Sequence, residues 1–502
     1  MTADLRFDGV LHDADSLDSR AKRLANGLIN LGLEEGDVVA VLLRNEPAFI
    51  DIILACRAGG FYYCPINWHF TTTEVEYIVA DSGASVLFTG AELLPIANLA
   101  APSDIDLIVV GEPESSDLRD RPKTWDYDSW LSNQTELQSG TAASHGHMVY
   151  TSGTTARPKG VRRDAVAPDD LNRYHEQMGK NIESCFGIRR GCRAMMSAPL
   201  YHSAPSLYTQ WALRLGEIFV LNRRFDAEAT LAMIERFRID TLYCVPTMFI
   251  RLLKLPEHVR KSYDVSSLRF VASTGAPCPE EVKASMIEWW GPVIHETYAS
   301  TETGMVTTIS SQEAVRYPGS VGRPVGDAQL RVIGEDGSVR GPDEVGIVYV
   351  KQPAYPDFTY VNRPDDRASI EHNGFITLGD AGRIDRDGYL YLSDRVSDMV
   401  ISGGVNIYPA EIEGALVAVP GVVDCAVIGI PDHEFGERLV AVVQRAPGSV
   451  VDSTSLAGSL ATKIAKYKIP KEFDFVENLP RDPSGKLAKR RLRAAYLESA
   501  TS

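Results

Sequence analysis

Apolar and polar positions in this chain alternate between a helical period and a strand period. From Ser16 to Leu31, Leu17, Ala21, Leu24, Leu28 and Leu31 recur at helical spacing, and Val38 to Leu43 is a continuous apolar run of the buried-strand kind. Pro47 opens a second helix carrying Phe49, Ile50, Ile53 and Leu54. Phe61 to Pro65, Ala84 to Phe88 and Ile105 to Val110 read as strands. Thr72 or Thr73 is placed to cap a helix running through Ala80, with Glu74 and Glu76 in the first turn, where the helix dipole favours them. Little chain precedes the first helix, and the polar stretch from Glu112 to Thr141 reads as an irregular link. The alternation then resumes. Strands are expected at Arg193 to Ser197, Ile218 to Leu221, Thr241 to Val245, Leu268 to Ser273 and Val293 to Ala299, with helices including Ala227 to Phe237 and Glu280 to Trp289. Strands alternating with helices predict mostly parallel sheets covered on both faces.

The pattern changes twice more. Leu330 to Val350 carries short strands separated by Gly334-Glu335-Asp336-Gly337 and Gly341-Pro342-Asp343 turns, a small β-rich unit. After Arg395 a smaller region begins, with a helix from Pro409 to Val419, strands near Val423 to Ile428 and Val440 to Val443, and a helix around Leu456 to Ala465. The expected architecture is therefore α/β. A large N-terminal domain of stacked αβ sheets with a β-rich unit spans 1–396, and a small, mobile α+β C-terminal domain spans 397–502.

Composition narrows the function. At 502 residues the chain is too long for one core. A net charge of −16 argues against non-specific nucleic-acid binding, which needs positive charge against phosphates, but does not exclude an anionic small molecule held by a local loop. The seven cysteines are scattered and form no C-x-x-C pair, so reduced thiols in a cytoplasmic protein are expected rather than zinc. Met1 to Asp8 has no signal-peptide pattern, and no apolar run spans a bilayer.

The candidate chemistry lies in a few stretches, most of them at predicted strand ends. Thr151-Ser152-Gly153-Thr154-Thr155, followed by Ala156, Arg157, Pro158 and Lys159, offers backbone N–H groups, hydroxyls and one charge to phosphate oxygens, although its glycine spacing is not that of the G-x-x-x-x-G-K-[ST] loop. Ala198 to Pro205 contains Tyr201 and His202; His202 suits a substrate carboxylate or an acyl pocket. Thr274-Gly275-Ala276-Pro277 lets a flat ring approach the backbone. Glu296-Thr297-Tyr298-Ala299-Ser300-Thr301-Glu302 offers a stacking ring, a phosphate donor in Thr301 and a magnesium ligand in Glu302. Asp380, between glycines, suits ribose hydroxyls, and Lys486 sits between a Gly turn and a helix start. Taken singly, each has an ordinary structural reading as a solvated turn, a packed histidine, a helix cap or a solvated basic face.

Together and in this order these stretches resemble the adenylate-forming superfamily of acyl-CoA and aryl-CoA synthetases, peptide-synthetase adenylation domains and luciferase. The resemblance runs over nearly the whole chain and is most like bacterial carboxylic acid–CoA ligases, supported by Asn67 to Phe70, Val245 to Phe249, Pro318 to Pro324 and Ser402 to Glu413. It implies two half-reactions: a carboxylate attacks the α-phosphate of Mg·ATP, and a thiol or amine then displaces AMP. By resemblance, Thr151 to Thr155 and Lys159 hold the β- and γ-phosphates, Thr301 contacts the α-phosphate, and Glu302 binds Mg²⁺. Asp380 and Arg395 hold the ribose, Gly275, Ala276, Pro277 and Tyr298 frame the adenine, and Glu296 and Thr297 belong to the same nucleotide site. Lys486 bridges the carboxylate and α-phosphate. Tyr201, His202, Trp211, Met248, Ser273, Thr274 and Met305 are the expected acid-pocket residues, Ser402, Gly403 and Gly404 the acceptor tunnel, and Ser397 the hinge.

The chain departs from the family pattern at Ala156 and Ala299, where glycine is common, at Thr297, where many relatives have glycine at the acyl pocket, and at Ser397, where Asp or Lys is usual. The expected reaction joins an apolar acid to CoA, with ATP and Mg²⁺. An amide-forming ligase using an amine, or a carrier-protein loader, shares the first step. No aspartate is placed to bind an amino group, which argues against amino-acid adenylation. A non-catalytic relative would be expected to have lost one of Lys486, Glu302, Asp380 or Arg395. The expected assembly is a monomer or homodimer.

Overall fold

In the computed structural model, residues 2–112, 123–138, 142–151, 157–395, 398, 400–402, 405–407, 409–432, 436–481 and 487–500 are described. Two α/β layers build the large domain. The first is a five-stranded, all-parallel sheet of Val38–Leu42, Tyr62–Pro65, Ala84–Gly90, Asp106–Val110 and Thr124–Asp126. The second has nine strands, in which Asp4–Phe7, Ile218–Leu221, Arg193–Met196, Thr241–Cys244, Phe270–Ser273 and Ile294–Ser300 run parallel. Antiparallel strands close both edges, Val10–His12 at one and Gly304–Ile309 with Arg323–Pro324 at the other. Helices join the sheets into one large core, in which Phe49, Tyr63, Phe88, Tyr208 and Phe249 are buried.

Local chemistry sets most element ends. The first helix, Ala14–Asn30, starts where the Asp13 carboxylate accepts from the Ser16 N–H at 2.9 Å. Thr72–Ser82 is capped by Thr71, one residue before the expected cap, because Glu74 reaches back to the Thr71 N–H at 2.8 Å and completes a capping box. Pro47 stands at the first position of Pro47–Gly59, and Gly60 ends it in the left-handed region at φ 74°.

Two stretches correct the expectations. The chain before the first helix supplies a strand, Asp4–Phe7, aligned residue for residue with Ile218–Leu221. The polar link contains the strand Thr124–Asp126 and the helix Tyr127–Ser132, which buries Tyr127, Trp130 and Leu131. The Tyr127 hydroxyl donates to Asp51 at 2.9 Å, and Arg20 pairs with the same carboxylate at 2.8 Å.

The β-rich unit is a six-stranded sheet whose adjacent strands run antiparallel and which includes Gln329–Ile333, Gly346–Lys351, Asp380–Ile384 and Leu390–Arg395. From Val400 onward a smaller α+β unit has its own five-stranded sheet and its own cores on the two sheet faces, one including Leu416, Val427, Val443 and Leu456, the other Ile428, Val440 and Leu492. Its long hairpin, Val422–Asp432 with Gly436–Arg445, exceeds the expected strands in both directions. All seven cysteines are buried and free. Among the described residues, no helix is long and apolar enough to cross a membrane.

Candidate active site

Four neighbouring parallel strands end on one side of the nine-stranded sheet, and the chain leaving each end lines one cavity of about 970 Å³. Arg193–Met196 leads to Ala198, Tyr201, His202 and Ser203; Thr241–Cys244 to Val245 and Met248; Phe270–Ser273 to Thr274 and Gly275; Ile294–Ser300 to Thr301. Carboxyl ends of parallel strands are where open α/β sheets hold ligands, because the strand-to-helix turns there are free to carry function. Asn45 fixes the first of these turns. Its amide donates to the carbonyls of Ala198 at 2.9 Å and Asn222 at 3.0 Å, and its carbonyl accepts from the Leu200 N–H at 2.9 Å.

The hydroxyl-rich loop leaves from a hairpin. Val149–Thr151 pairs antiparallel with Lys159–Arg163, which in turn pairs with Phe358–Tyr360. Gly160 is needed there, since a Cβ would lie 2.7 Å from the Tyr150 ring. That ring anchors the hairpin to Thr72–Ser82 through a 2.8 Å bond to Asp81, and the Tyr77 hydroxyl donates to the Pro158 carbonyl at 3.1 Å. Thr151, at the hairpin end, donates to Glu302 at 3.3 Å, and the Tyr360 hydroxyl donates to the same carboxylate oxygen at 3.1 Å. The hairpin and the Thr301–Glu302 turn therefore meet at one buried carboxylate. The turn is reversed at Gly304, φ 72°, where a Cβ would fall 2.3 Å from the Tyr355 ring. Ser203 and Thr301 bring their hydroxyls within 3.1 Å. On the β-rich side, the Tyr298 phenol donates to Asp380 at 2.5 Å, and Asp380 stands opposite Arg395 in the strand register.

The structure brings together Thr151, Tyr201, His202, Met248, Thr274, Gly275, Thr301 and Met305 on the cavity wall, with Glu302 directly behind Thr151. Ala276 and Pro277 follow Gly275 on the surface side of the same turn. Tyr298, Asp380 and Lys159 do not line this cavity, and four more expected residues turn away from it. Glu296 is buried and ion-paired with the equally buried Lys283, because a carboxylate in the core requires a countercharge. Thr297 turns away to the Cys185 carbonyl at 3.3 Å, and Ser273 lies fully buried on its strand. Trp211 faces a second, smaller cavity, one turn further down its helix than the large cavity reaches. Lys159 pairs with Asp366 at 2.9 Å and lies over the Tyr360 ring. Ser402 ends the strand Val400–Ser402 and pairs in register with Val405 and Gly436. Ser152, Gly153, Thr154, Thr155, Ala156, Ser397, Gly403, Gly404 and Lys486 lie outside the described residues, as does the Arg395 side chain.

Sequence reading missed Asn45, Arg163, Tyr360 and Asp366. Arg163 donates to the main-chain carbonyls of Pro356 and Thr301, each at 2.8 Å, and of Glu302 at 2.7 Å, with its guanidinium over the Tyr355 ring. Burial pushes its pKa down. The same burial, with Arg163 adding to it, pushes His147 on the cavity wall down to about 4. Tyr360 is pushed up, by burial first and then by the Glu302 charge. The signal for Arg163 was its place at the inner end of an otherwise apolar and basic strand, Lys-Gly-Val-Arg-Arg, where a charge must find partners.

For a divalent cation, Glu302 offers one carboxylate with two hydroxyls beside it. Among the described residues no group of three His, Cys, Asp or Glu side chains is placed to cage a metal. A single carboxylate supplemented by substrate phosphates is how Mg²⁺ is commonly held, so the residues present fit Mg²⁺ carried by a nucleotide.

Known proteins share this design. A family model described as AMP-binding enzyme matches residues 12–355, and one described as AMP-binding enzyme C-terminal domain matches residues 411–486. The chain is 33% identical over 497 residues to a feruloyl-CoA synthase of Amycolatopsis sp, covering 98% of this chain and 95% of that one. ATP-bound MatB from Rhodopseudomonas palustris matches with a TM-score of 0.85 at 28% identity, covering 99% of this chain and 96% of that one. The amide bond synthetase McbA from Marinactinospora thermotolerans matches with a TM-score of 0.86 at 25% identity, covering 99% and 97%. Since the two family models together reach from residue 12 to residue 486, and a relative is matched almost end to end, this chain belongs to the AMP-binding enzyme family, that is, to the adenylate-forming enzymes.

Proposed function

We propose that the protein activates a carboxylic acid with an apolar body to its acyl-adenylate, releasing pyrophosphate from ATP, and then transfers the acyl group to CoA. One observation carries this reading. One cavity is lined both by phosphate-type donors, Thr151 and Thr301, and by the apolar side chains Phe186, Tyr243, Met248 and Met305, so an acid and a nucleotide can meet in it.

In the first step a carboxylate oxygen forms a bond to the α-phosphorus, and the α–β bridging P–O bond breaks, its electron pair leaving with pyrophosphate. Both reactants are anions, so the protein's task is to neutralise phosphate charge as it shifts. Thr301 and Thr151 present hydroxyl donors at the wall, and the Arg163 guanidinium holds the Thr301–Glu302 main chain in place. Mg²⁺, when bound at Glu302, supplies positive charge to the phosphate oxygens. Tyr298 and Asp380 hold the adenosine end, and Lys486 enters from the small domain to bridge carboxylate and phosphate. In the second step the acceptor sulfur bonds the acyl carbon, the C–O bond to AMP breaks, AMP leaves with the electrons, and the thiol proton goes to solvent. We place the domain boundary between 396 and 397, with Ser397 as pivot, and a rotation of the small domain that withdraws Lys486 between the steps and brings Ser402, Gly403 and Gly404 to the acceptor.

The cavity mouth favours an anionic acceptor. Arg223, Arg224 and Arg251 of the large domain and Arg481 and Arg491 of the small one border it, which suits the phosphates of CoA. The likeness to McbA supports an amide-forming reading as the alternative. Pyrophosphate release with Mg·ATP across aliphatic, aryl and polycyclic acids tests both readings, each acid being run alone, with CoA and with amines. Turnover accelerated by CoA, with acyl-CoA identified by mass, supports the ligase. Amide products indifferent to CoA support the alternative, and no pyrophosphate with any acid counts against both.

A further inference from the structure

Behind the large cavity lies a second one of about 90 Å³, and the two share a wall formed by His147, Arg163, Leu207 and Tyr355. The helix Ser203–Leu215 runs from one to the other. Ser203, at its first turn, touches Thr301 at the activating end, whereas Leu207, Gln210 and Arg214 follow on the same helix stripe and reach the small cavity. Ser203 and Arg214 are eleven residues apart, so about 16 Å of helix separates them.

The small cavity is basic. Arg214 lies against both ring nitrogens of His175, at 3.0 and 3.1 Å, and Arg57 lies 3.5 Å from the same ring. Trp211 packs under both, with its ring in edge contact with His175 and the Arg214 guanidinium over it. Among the described residues, neither arginine has a carboxylate within ion-pairing distance. Asp164, an exposed acid on the same wall, is paired to neither. Burial and the two arginines hold His175 down at about 4, so the ring stays neutral and serves the guanidiniums as a neighbour rather than a third charge. Arg57 is exposed and Arg214 half-buried, and two guanidiniums standing together with no carboxylate paired to them among the described residues, in a chain of net charge −16, suit an anion.

We propose that Arg57 and Arg214 receive a second carboxylate at the far end of the acid, so that the preferred substrate is a dicarboxylic acid with an apolar middle. This rests on the acid-activating reading above. The helix between the two cavities acts as a ruler. One carboxylate reacts beside Ser203 and Thr301, the apolar middle passes Leu207 and Tyr355, and the other carboxylate is held at the end of the helix. Trp211, expected in the acid pocket, then contacts the acid at its distal end.

The test compares saturated α,ω-dicarboxylic acids of about 8 to 16 carbons, bracketing the helical span, with monocarboxylic acids of equal length. Pyrophosphate release is measured for wild type, Arg214→Gln and Arg57→Gln, the second variant guarding against misfolding of the first. The expected result is a KM about tenfold lower for the matching diacid than for its monoacid, an advantage lost in either variant with kcat and the monoacid KM unchanged. Equal KM values for the two acids in wild type, or equal losses for both acids in the variants, overturn the proposal. Calorimetry with the diacid alone separates the site from the reaction. Diacid binding by wild type that is lost in both variants supports the site even if no acid releases pyrophosphate, a result that would refute the activation reading instead. Binding of inorganic phosphate at this cluster without any diacid preference assigns it to free anions and overturns the distal-carboxylate proposal.

Discussion

Replacing Arg163 by methionine should loosen the Thr301–Gly304 turn, whose main chain its guanidinium holds. The guanidinium makes three charge-assisted bonds to main-chain carbonyls, at 2.8, 2.8 and 2.7 Å, and packs on Tyr355 and Phe358. Each such bond contributes roughly 1.5–3 kcal/mol net, and each carbonyl left dry costs a similar amount. Two terms offset this loss: methionine keeps the packing on the two rings, and it spares the desolvation of a buried charge. The net destabilisation is about 3 kcal/mol, concentrated at Thr301–Gly304. Amide hydrogen exchange reads it directly, because Thr303 N–H, bonded to the Ser300 hydroxyl at 2.9 Å, should lose protection before amides of the central strands do. Adenylation should slow in parallel, since Thr301 and Glu302 hang on the loosened turn. Arg163→Lys, which retains a charge but not the planar fork, should recover at most part of the loss. The reasoning is refuted if the methionine variant exchanges at 301–304 like wild type and keeps its adenylation rate.

Other outcomes follow from the same geometry. Glu302→Gln keeps the side-chain shape and removes the charge, so adenylation should fall about 10²–10³-fold and require more Mg²⁺; an unchanged magnesium titration would count against Glu302 as the ligand. Lys486→Ala should abolish adenylation but leave much of the thioester half-reaction from supplied acyl-adenylate, and equal loss of both would refute that division. His147, held near 4 in the fold, binds its proton more readily once unfolded. The unfolded state therefore carries more protons between about pH 4 and 6.5, and stability rises with pH across that window and is lost as pH falls through it. Full protonation costs up to about 3 kcal/mol, from 1.36 kcal/mol per unit. Acid unfolding of His147→Gln should be correspondingly flatter, and a curve parallel to wild type would exclude this histidine as a cause.

What was legible in the chain and what was not divide along the range of the interactions involved. The strand Val38–Leu42, the helix Pro47–Gly59 and the order of strands and helices follow from local period and turn chemistry, which neighbouring residues carry by themselves. The motif set Thr151, Thr301, Glu302 and Asp380 is legible for the same reason, because it is read from residue types and their order along the chain. Elements whose stability comes from distant partners are not legible. Asp4–Phe7 is a strand because Ile218–Leu221 offers it an edge, and Tyr127–Ser132 is a helix because Asp51 and the core receive its aromatic residues. The same limit applies within the site. Sequence alone determined the residue types proposed here for phosphate, magnesium and ribose, and their order along the chain. Only the tertiary structure decided that Glu296 turns to Lys283, that Arg163 holds the Thr301–Glu302 turn, and that Trp211 and Arg214 line the smaller cavity and not the large one, because side-chain direction and charge pairing are settled by residues far away in the chain.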